Sequence, residues 1–99
     1  MGTYYDENVL SEINHRIDIL DVVSESVKLS RKGDRYWGLC PFHAEKTPSF
    51  SVTPGKNMFY CFGCHAGGNL FTYVMKRDGL EFPEAVQLLA SRAGVQLQS

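Results

Sequence analysis

The 99-residue sequence predicts a small α+β domain in which short helices flank an antiparallel β-sheet. Apolar residues recur at helical spacing near both ends of the chain, whereas the middle alternates and carries turn signals. A composition of 43% hydrophobic and 12% aromatic residues argues against disorder. The length fits one domain over residues 1–99, although a core of this size is marginal without a staple such as a metal.

The N-terminal part is predicted to form two short helices within residues 6–24. Asp6–Arg16 is expected to be the first, because its apolar residues recur at helical spacing: Val9, Leu10, Ile13 and, just beyond it, Ile17. Asp18 is predicted to cap a second helix that runs through Val23. The acidic residues of this part are interpreted as a solvated helix face.

The middle of the chain is predicted to form β-hairpins, with a ribbon core over residues 27–68. Val27–Arg31 and Arg35–Leu39 flank a turn at residues 32–34. Ser49–Thr53 alternates, and Met58–Cys61 is expected to return beside it after a turn at residues 54–57. Phe50 and Val52 therefore share one face of the sheet.

The C-terminal part is predicted to form two further helices within residues 69–93. Asn69 is expected to cap the first, which Gly79 ends, and Pro83 lies in the first turn of the second, which Gly94 ends. The first carries an apolar stripe of Leu70, Phe71 and Val74, and the second a face of Phe82, Val86, Leu89, Ala90 and Ala93. Both helices are expected to cover one face of the sheet.

Four residues have the spacing of a zinc site. Cys40-x2-His43 is followed after 17 intervening residues by Cys61-x2-Cys64. A two-residue gap lets both ligands of a pair turn onto one tetrahedral ion, and two such pairs separated by a hairpin form a small zinc ribbon. Four protein ligands fill the coordination shell of Zn²⁺, so the sequence predicts one structural zinc ion and disfavours a zinc hydrolase.

Two alternatives to this ligand set are compatible with the composition. Three buried free cysteines with an incidental histidine would give the same composition, but all four residues fall into two paired turns. His65 follows Cys64 directly and could replace His43, but Cys40-x2-His43 repeats the spacing of Cys61-x2-Cys64. An odd number of cysteines is poor material for a disulfide framework and favours a reducing compartment.

The net charge of −1 hides an uneven distribution. Residues 1–27 contain six acids and one base, a net of −5, whereas residues 28–56 contain six bases and two acids, a net of +4. The basic middle is a candidate surface for a polyanion. The sequence shows no signal-peptide pattern and no apolar stretch near the roughly 20 residues that span a membrane, so we expect a cytoplasmic protein without a membrane partner.

Three motifs carry a resemblance to a known family. They are Cys40–Phe50 (CPFHAEKTPSF), Tyr60–Cys64 (YCFGC) and the later Gly67–Asn69 (GGN). Together they closely resemble the N-terminal zinc-binding domain of bacterial, DnaG-type DNA primases, and the resemblance covers almost the whole chain. Two positions depart from the family pattern: His65 stands where relatives often have glycine, and Asp34 lies in a turn that is often basic.

The resemblance implies a function in DNA replication. Such domains bind the single-stranded DNA template and help to select where a short RNA primer starts, and they are part of a longer primase. The nucleotidyl transfer, with its Mg²⁺ ions, belongs to a separate RNA polymerase domain of the same or a neighbouring molecule. The full-length family protein also works with the replicative DNA helicase at the replication fork. A zinc-ribbon module that docks on the polymerase domain or the helicase is the alternative function.

Template binding needs cations for phosphates and flat rings for bases. Lys46 is the first candidate cation because it lies in the motif beside the metal ligands, and Arg35 and Lys56 follow. Nine of the twelve aromatic residues lie between Tyr36 and Tyr73. We expect Phe50 and Phe71 in the core, and the candidate exposed rings are Tyr36, Phe59 and Phe62. The alternation of residues 35–39 separates Tyr36 from Trp37, but it leaves open which face is exposed. The sequence shows no catalytic set.

Overall fold

A computed structural model describes residues 7–44 and 46–96. Over these residues the chain forms four α-helices, five β-strands and one 3₁₀ turn. In chain order the elements are α1 (Glu7–Arg16), α2 (Ile19–Ser24), β1 (Ser30–Lys32), β2 (Arg35–Gly38), β3 (Phe50–Thr53), the 3₁₀ turn (Pro54–Lys56), β4 (Met58–Cys61), β5 (Gly67–Asn69), α3 (Leu70–Asp78) and α4 (Phe82–Ala93). No helix within the described residues is long and apolar enough to cross a membrane.

The five strands form one antiparallel sheet in the order β1-β2-β3-β4-β5. Tyr36 pairs with Val52, which pairs with Phe59, so these three side chains share one face. Their chain neighbours form the next row across the same strands: Trp37, Ser51 and Tyr60. Because side chains alternate along a strand, this second row lies on the opposite face of the sheet.

Helices α2 and α3 cover the face that carries Val52 and Phe59, whereas α4, which was also expected to cover the sheet, packs mainly on other helices. Helix α2 contacts β3, α3 contacts β4 and β5, and α4 packs against α3 and α1. Phe50, Val52 and Phe59 are at most 2% exposed there, and the rings of Phe50 and Phe59 surround Tyr73 of α3. The rest of the core comes from apolar residues of all four helices, including Ile13, Ile19, Leu70 and Leu89. The opposite face, which carries Trp37, Ser51 and Tyr60, is called the outer face below.

The predicted helices are confirmed with their caps. The Asp18 carboxylate accepts from the N–H of Leu20 at the start of α2, and Asn69 accepts from the N–H of Thr72 at the start of α3. Gly79 and Gly94 end α3 and α4 in the left-handed conformation. Asp6, the first residue of the predicted N-terminal helix, lies outside the described residues. Phe82 was expected on the buried face of α4, but its side chain is 38% exposed.

The strand predictions differ from the structure most at the two edge strands, β1 and β5, while β2 and β3 are each one residue shorter than predicted. The first strand was predicted at Val27–Arg31 but lies at Ser30–Lys32, because Val27 continues the turn after α2 and its N–H donates to the carbonyl of Val23. Strand β5 was not predicted, since its sequence is Gly-Gly-Asn and each of these residues is depleted in strands. It forms because the edge of β4 supplies backbone partners at Met58, Phe59 and Tyr60.

Candidate functional site

The four predicted metal ligands converge at one end of the sheet. Cys40 and His43 lie in the loop that follows β2, Cys61 is the last residue of β4, and Cys64 lies in the turn after it. One ligand atom from each residue lies within 4.8 Å of the others. His65 is outside this group: its Nδ1 lies 3.0 Å from the hydroxyl of Tyr60.

The thiols of Cys40 and Cys61 accept hydrogen bonds from nearby backbone and side-chain groups. The N–H of Phe42 donates to Cys40 Sγ at 3.4 Å, and Ser49 Oγ lies 3.8 Å from Cys61 Sγ. Backbone N–H groups of Gly63 and Cys64 also bond to Cys61. Such N–H groups stabilise thiolates and fix the direction of each sulfur, as the outer-shell partners of a metal site do.

The two buried thiols differ in acidity. Burial raises the pKa of Cys40 to about 12, with a smaller opposing effect from the Phe42 N–H. Burial also acts on Cys61, but the backbone N–H groups of Cys64 and Gly63 and the Ser49 hydroxyl outweigh it and lower its pKa to about 7. A bound dication favours the thiolate form of every cysteine in such a group.

The donor set fits zinc. Three thiols and one imidazole form a complete tetrahedral Cys₃His shell of the kind found at structural zinc sites. Cys40 Sγ and Cys64 Sγ are 3.9 Å apart. Two sulfurs bound tetrahedrally at about 2.3 Å from one ion would be about 3.8 Å apart. The thiols therefore already lie at the separation that a shared ion requires.

Beside this centre, the outer face of the sheet carries a row of aromatic rings. Trp37 of β2 stacks on Phe62 with a centroid distance of 5.7 Å, and Phe62 meets Tyr60 of β4 edge-on at 4.8 Å. The row continues to His65, whose ring centroid is 6.3 Å from that of Tyr60. Phe62 is 51% exposed and Tyr60 is 38% exposed, so both rings reach solvent.

A groove of about 440 Å³ runs along Tyr60, Phe62 and His65 of this row, and Trp37 lies outside its lining. Arg35 and Lys56 bring two cations to it, Met58 adds apolar surface, and the Tyr60–His65 pair lines another part of it. Both cations are exposed, and none of the described residues that line the groove is acidic. The outer face therefore combines flat rings with an excess of positive charge, which is a combination suited to a single-stranded polyanion.

A protein-family model described as a CHC2 zinc finger, of the DnaG zinc ribbon type, matches residues 5–99. The chain belongs to the CHC2 zinc finger family. The two ligand pairs described above lie within the matched residues and supply three cysteines and one histidine, a donor set suited to zinc.

Curated relatives of this CHC2 zinc finger are named DNA primases. The chain is 54% identical over 97 residues to the DNA primase of Geobacillus stearothermophilus, a match that covers 98% of this chain and 16% of the relative. It is 50% identical over 97 residues to the DNA primase of Pseudomonas putida, covering 98% of this chain and 15% of the relative. The chain thus spans about one sixth of the length of these relatives.

A solved structure has the same fold. The Aquifex aeolicus primase, described as its zinc-binding and RNA polymerase domains, matches with a TM-score of 0.84 and 41% sequence identity. The match covers 91% of this chain and 22% of that chain. The predicted fold class, a small zinc ribbon with flanking helices, is confirmed.

The candidate DNA-binding residues of this CHC2 zinc finger fall into different places. Arg35, Lys56 and Phe62 lie along the groove. Phe59 also borders the groove, but the prediction that its ring is exposed is wrong: Phe59 is 2% exposed and packs against Phe50 and Tyr73. Tyr36 lies on the same helix-covered face and is half-buried against the core. Lys46 is exposed in the loop after His43, but it does not line the groove.

Two rings of the outer face were missed as candidates, namely Trp37 and Tyr60. Trp37 follows the predicted exposed ring Tyr36 in sequence, and Tyr60 follows the predicted exposed ring Phe59. Neighbouring residues of a strand lie on opposite faces, so the wrong member of each pair was predicted to be exposed. The Cys61 ligand could have indicated the correct face. Cys61 and Phe59 are two residues apart on β4 and therefore both point to the buried side, which leaves Tyr60 outside.

Proposed function

We propose that this chain is the template-binding zinc domain of a DNA primase, and that it binds single-stranded DNA along the outer face of its sheet. The observation that carries the proposal is the row of rings formed by Trp37, Phe62 and Tyr60 beside Arg35 and Lys56. The names of the relatives support the primase part of the proposal.

In this proposal the aromatic rings bind the bases and the cations bind the phosphates. Bases of a single strand stack on exposed aromatic side chains, and any base can do so because every base has a flat π-face. Phosphates contact Arg35 and Lys56, and each contact releases a condensed counterion from the strand. Paired bases cannot stack on the rings, since they are already stacked within the duplex. The proposed site therefore prefers single strands to duplexes.

Zinc has a structural role in the proposal, with Cys40, His43, Cys61 and Cys64 as its ligands. Four protein ligands leave no position for a reactive water molecule. The ligands join the end of β2 to the end of β4, the two strands that present Trp37 and Tyr60. Metal binding thus holds together the ends of the two strands that carry Trp37 and Tyr60.

The proposed reaction takes place elsewhere in the full-length protein. An RNA polymerase domain of the same or a neighbouring primase molecule would perform nucleotidyl transfer with Mg²⁺ while this domain holds the template. The description of the Aquifex aeolicus structure, which includes zinc-binding and RNA polymerase domains, supports this division. A contact with the replicative helicase, made by the full-length protein, is also part of the proposal.

The test is a titration of the zinc-loaded chain with fluorescein-labelled single-stranded DNA about 12 nucleotides long, a length within the site size of related modules. Fluorescence anisotropy is recorded at several salt concentrations, with a duplex of the same length as the control. NMR shift mapping of the ¹⁵N-labelled chain then locates the contact. We expect single-strand binding that weakens with salt, and shifts that cluster at Trp37, Tyr60, Phe62 and Arg35.

Two results would contradict the proposal. Equal affinity for the duplex and the single strand would remove the role of base stacking. Shifts confined to the helices α1 and α4 would move the DNA site away from the outer face. Lys46 stays a separate prediction: Lys46→Ala should weaken binding if the strand extends past the metal centre, and unchanged affinity would remove Lys46 from the site.

A further inference from the structure

His65 adopts a backbone conformation that favours glycine. Its φ angle is +64°, in the left-handed region that side chains other than those of Gly, Asn, Asp and His rarely occupy. Backbone hydrogen bonds fix this conformation: the N–H of His65 donates to the carbonyl of Cys61, and the N–H of Cys61 donates to the carbonyl of Ala66. Glycine would satisfy the same turn at a lower conformational cost. Histidine at this position therefore carries a conformational cost that glycine would not.

The imidazole is held in a defined position by Tyr60. The Tyr60 hydroxyl lies 3.0 Å from His65 Nδ1, and the Tyr60 ring meets Phe62 edge-on. The ring also lies across Gly67: a Cβ atom at that residue would be only 2.6 Å from Tyr60 Cδ1. The missing side chain of Gly67 thus leaves room for the Tyr60 ring, and Tyr60 in turn orients His65.

The other polar groups of the groove are less suited to reading a base. Ser51 is 2% exposed and its hydroxyl donates to the carbonyl of Tyr60. Thr53 is half-buried. Arg35 and Lys56 are exposed cations and, in the proposed function, contact phosphates. The Tyr60–His65 pair remains as an exposed hydrogen-bonding group beside the stacking ring of Phe62.

From this arrangement we infer that His65 is a specificity-determining residue that hydrogen-bonds the edge of one unpaired template base, and that Tyr60 is its positioning residue. The inference rests on the proposed function, because it concerns the same groove. Stacking accepts every base, so discrimination among bases requires a directed hydrogen bond to a base edge. With Nδ1 bonded to Tyr60, the ring presents Nε2 as its second hydrogen-bonding atom.

The experiment compares the zinc-loaded wild-type chain with the His65→Gly and Tyr60→Phe variants. The ligands are single-stranded DNAs about 12 nucleotides long, made of thymidine with one central position varied through all four bases. His65→Gly suits the left-handed backbone and should not impair folding, and Tyr60→Phe keeps the ring and removes only the hydroxyl. His15→Ala, at an exposed histidine of α1, is the matched control. Thermal melting checks that all four proteins are folded.

We expect the wild-type chain to prefer one base, and the ratio of Kd values between the worst and the best base to fall about 5-fold in His65→Gly. Tyr60→Phe should reduce the ratio in the same direction, while its affinity for the strand with the least-favoured base changes less than about 2-fold. His15→Ala should keep the wild-type ratio. This pattern distinguishes base reading from a structural role, which would weaken binding to every strand alike.

Three results would overturn the inference, and they differ from failure of the proposed function. A wild-type chain that binds all four strands equally would show that no base is read. An unchanged ratio in His65→Gly would show that another residue reads it. A uniform loss of affinity in that variant would show that His65 acts without discrimination. If the wild-type chain binds no single strand at all, the proposed function fails and the inference fails with it.

Discussion

The side-chain oxygen of Asn57 accepts a hydrogen bond of 2.8 Å from the backbone N–H of Ile19. This bond joins the turn between β3 and β4 to the start of α2, 38 residues away in sequence. The amide nitrogen of Asn57 also donates to the carbonyl of Ile17 and to the side-chain oxygen of Asn14. One buried amide thus holds the junction of α1 and α2 against the sheet.

Asn57→Ala should destabilise the fold by about 2–4 kcal/mol. The substitution removes these hydrogen bonds, leaves the buried Ile19 N–H unpaired, and places alanine at a φ angle of +55°. The measurement is denaturant unfolding of the zinc-loaded chain. Asn57→Gly is the matched control because it loses the same bonds without the backbone strain, and it should cost less. A loss below about 0.5 kcal/mol in Asn57→Ala would contradict this account.

Removal of zinc should unfold or loosen the domain. Zinc bound at four ligands contributes its binding free energy directly to folding, so chelation with EDTA should lower Tm and remove near-ultraviolet circular dichroism. Cobalt substitution provides the measurement of the ligand set, since tetrahedral Co²⁺ with thiolate ligands absorbs visible light. His43→Ala should weaken cobalt binding strongly, whereas His65→Gly should leave the spectrum unchanged. The reverse outcome would assign the ligand position to His65.

Phe62→Ala and Arg35→Ala should weaken single-stranded DNA binding in different ways. Phe62→Ala removes an exposed stacking ring, which is expected to cost about 1–3 kcal/mol at every salt concentration. Arg35→Ala removes a phosphate contact, so the slope of log K against log salt should become shallower by about 0.7. Lys28→Ala, at an exposed lysine outside the groove, is the control. Equal effects of all three changes would indicate a diffuse electrostatic surface.

The ion pairs of Glu25 should make the docking of α2 depend on pH. Glu25 contacts Arg92 of α4 and, at 3.8 Å, Arg77 of α3. The hydrogen bond from Arg92 lowers the pKa of Glu25 below its usual 4.5 in the folded chain. A lowered folded pKa means that the stabilisation is complete above pH 4.5 and is lost as the pH falls through the folded value.

Glu25→Gln should therefore be less stable than the wild-type chain near pH 7, and the difference should shrink below pH 4.5. The carboxylate side chain is 47% exposed, so the difference near pH 7 should be under about 1 kcal/mol and should fall in 1 M salt. Denaturant unfolding of both chains across pH measures it, and comparison at each pH cancels the loss of metal that acid causes in both. A difference that grows as the pH falls would contradict the assigned ion pairs.

Local sequence signals predicted most of the helices and the metal cluster. Asp18 and Asn69 are caps because their side chains accept from N–H groups two and three residues ahead, and such contacts are visible in a short stretch of sequence. The two ligand pairs could also be predicted from the local sequence, since a two-residue gap brings both members of a pair to one ion. These features depend on neighbours in the chain.

Features that depend on contacts between distant residues could not be predicted from the sequence. Strand β5 exists because β4 offers an open edge to a Gly-Gly-Asn segment that has little strand preference of its own. The role of Asn57 as a link to α2 depends on a contact across 38 residues. The left-handed backbone of His65 follows from the closure of the turn onto Cys61, and its bond to Tyr60 follows from the path of β4.

Which face of the sheet is exposed also depended on contacts between residues that are distant in sequence. Alternation alone determined that Tyr36 and Trp37, and likewise Phe59 and Tyr60, point in opposite directions. It did not determine which direction is buried, because both faces carry aromatic rings of similar hydrophobicity. Helices α2 and α3 pack against only one face, and this packing buries Phe59 and leaves Trp37, Tyr60 and Phe62 in the outer row. The sequence by itself determined a zinc ribbon with two aromatic faces, and only the tertiary packing decided which of them remains open.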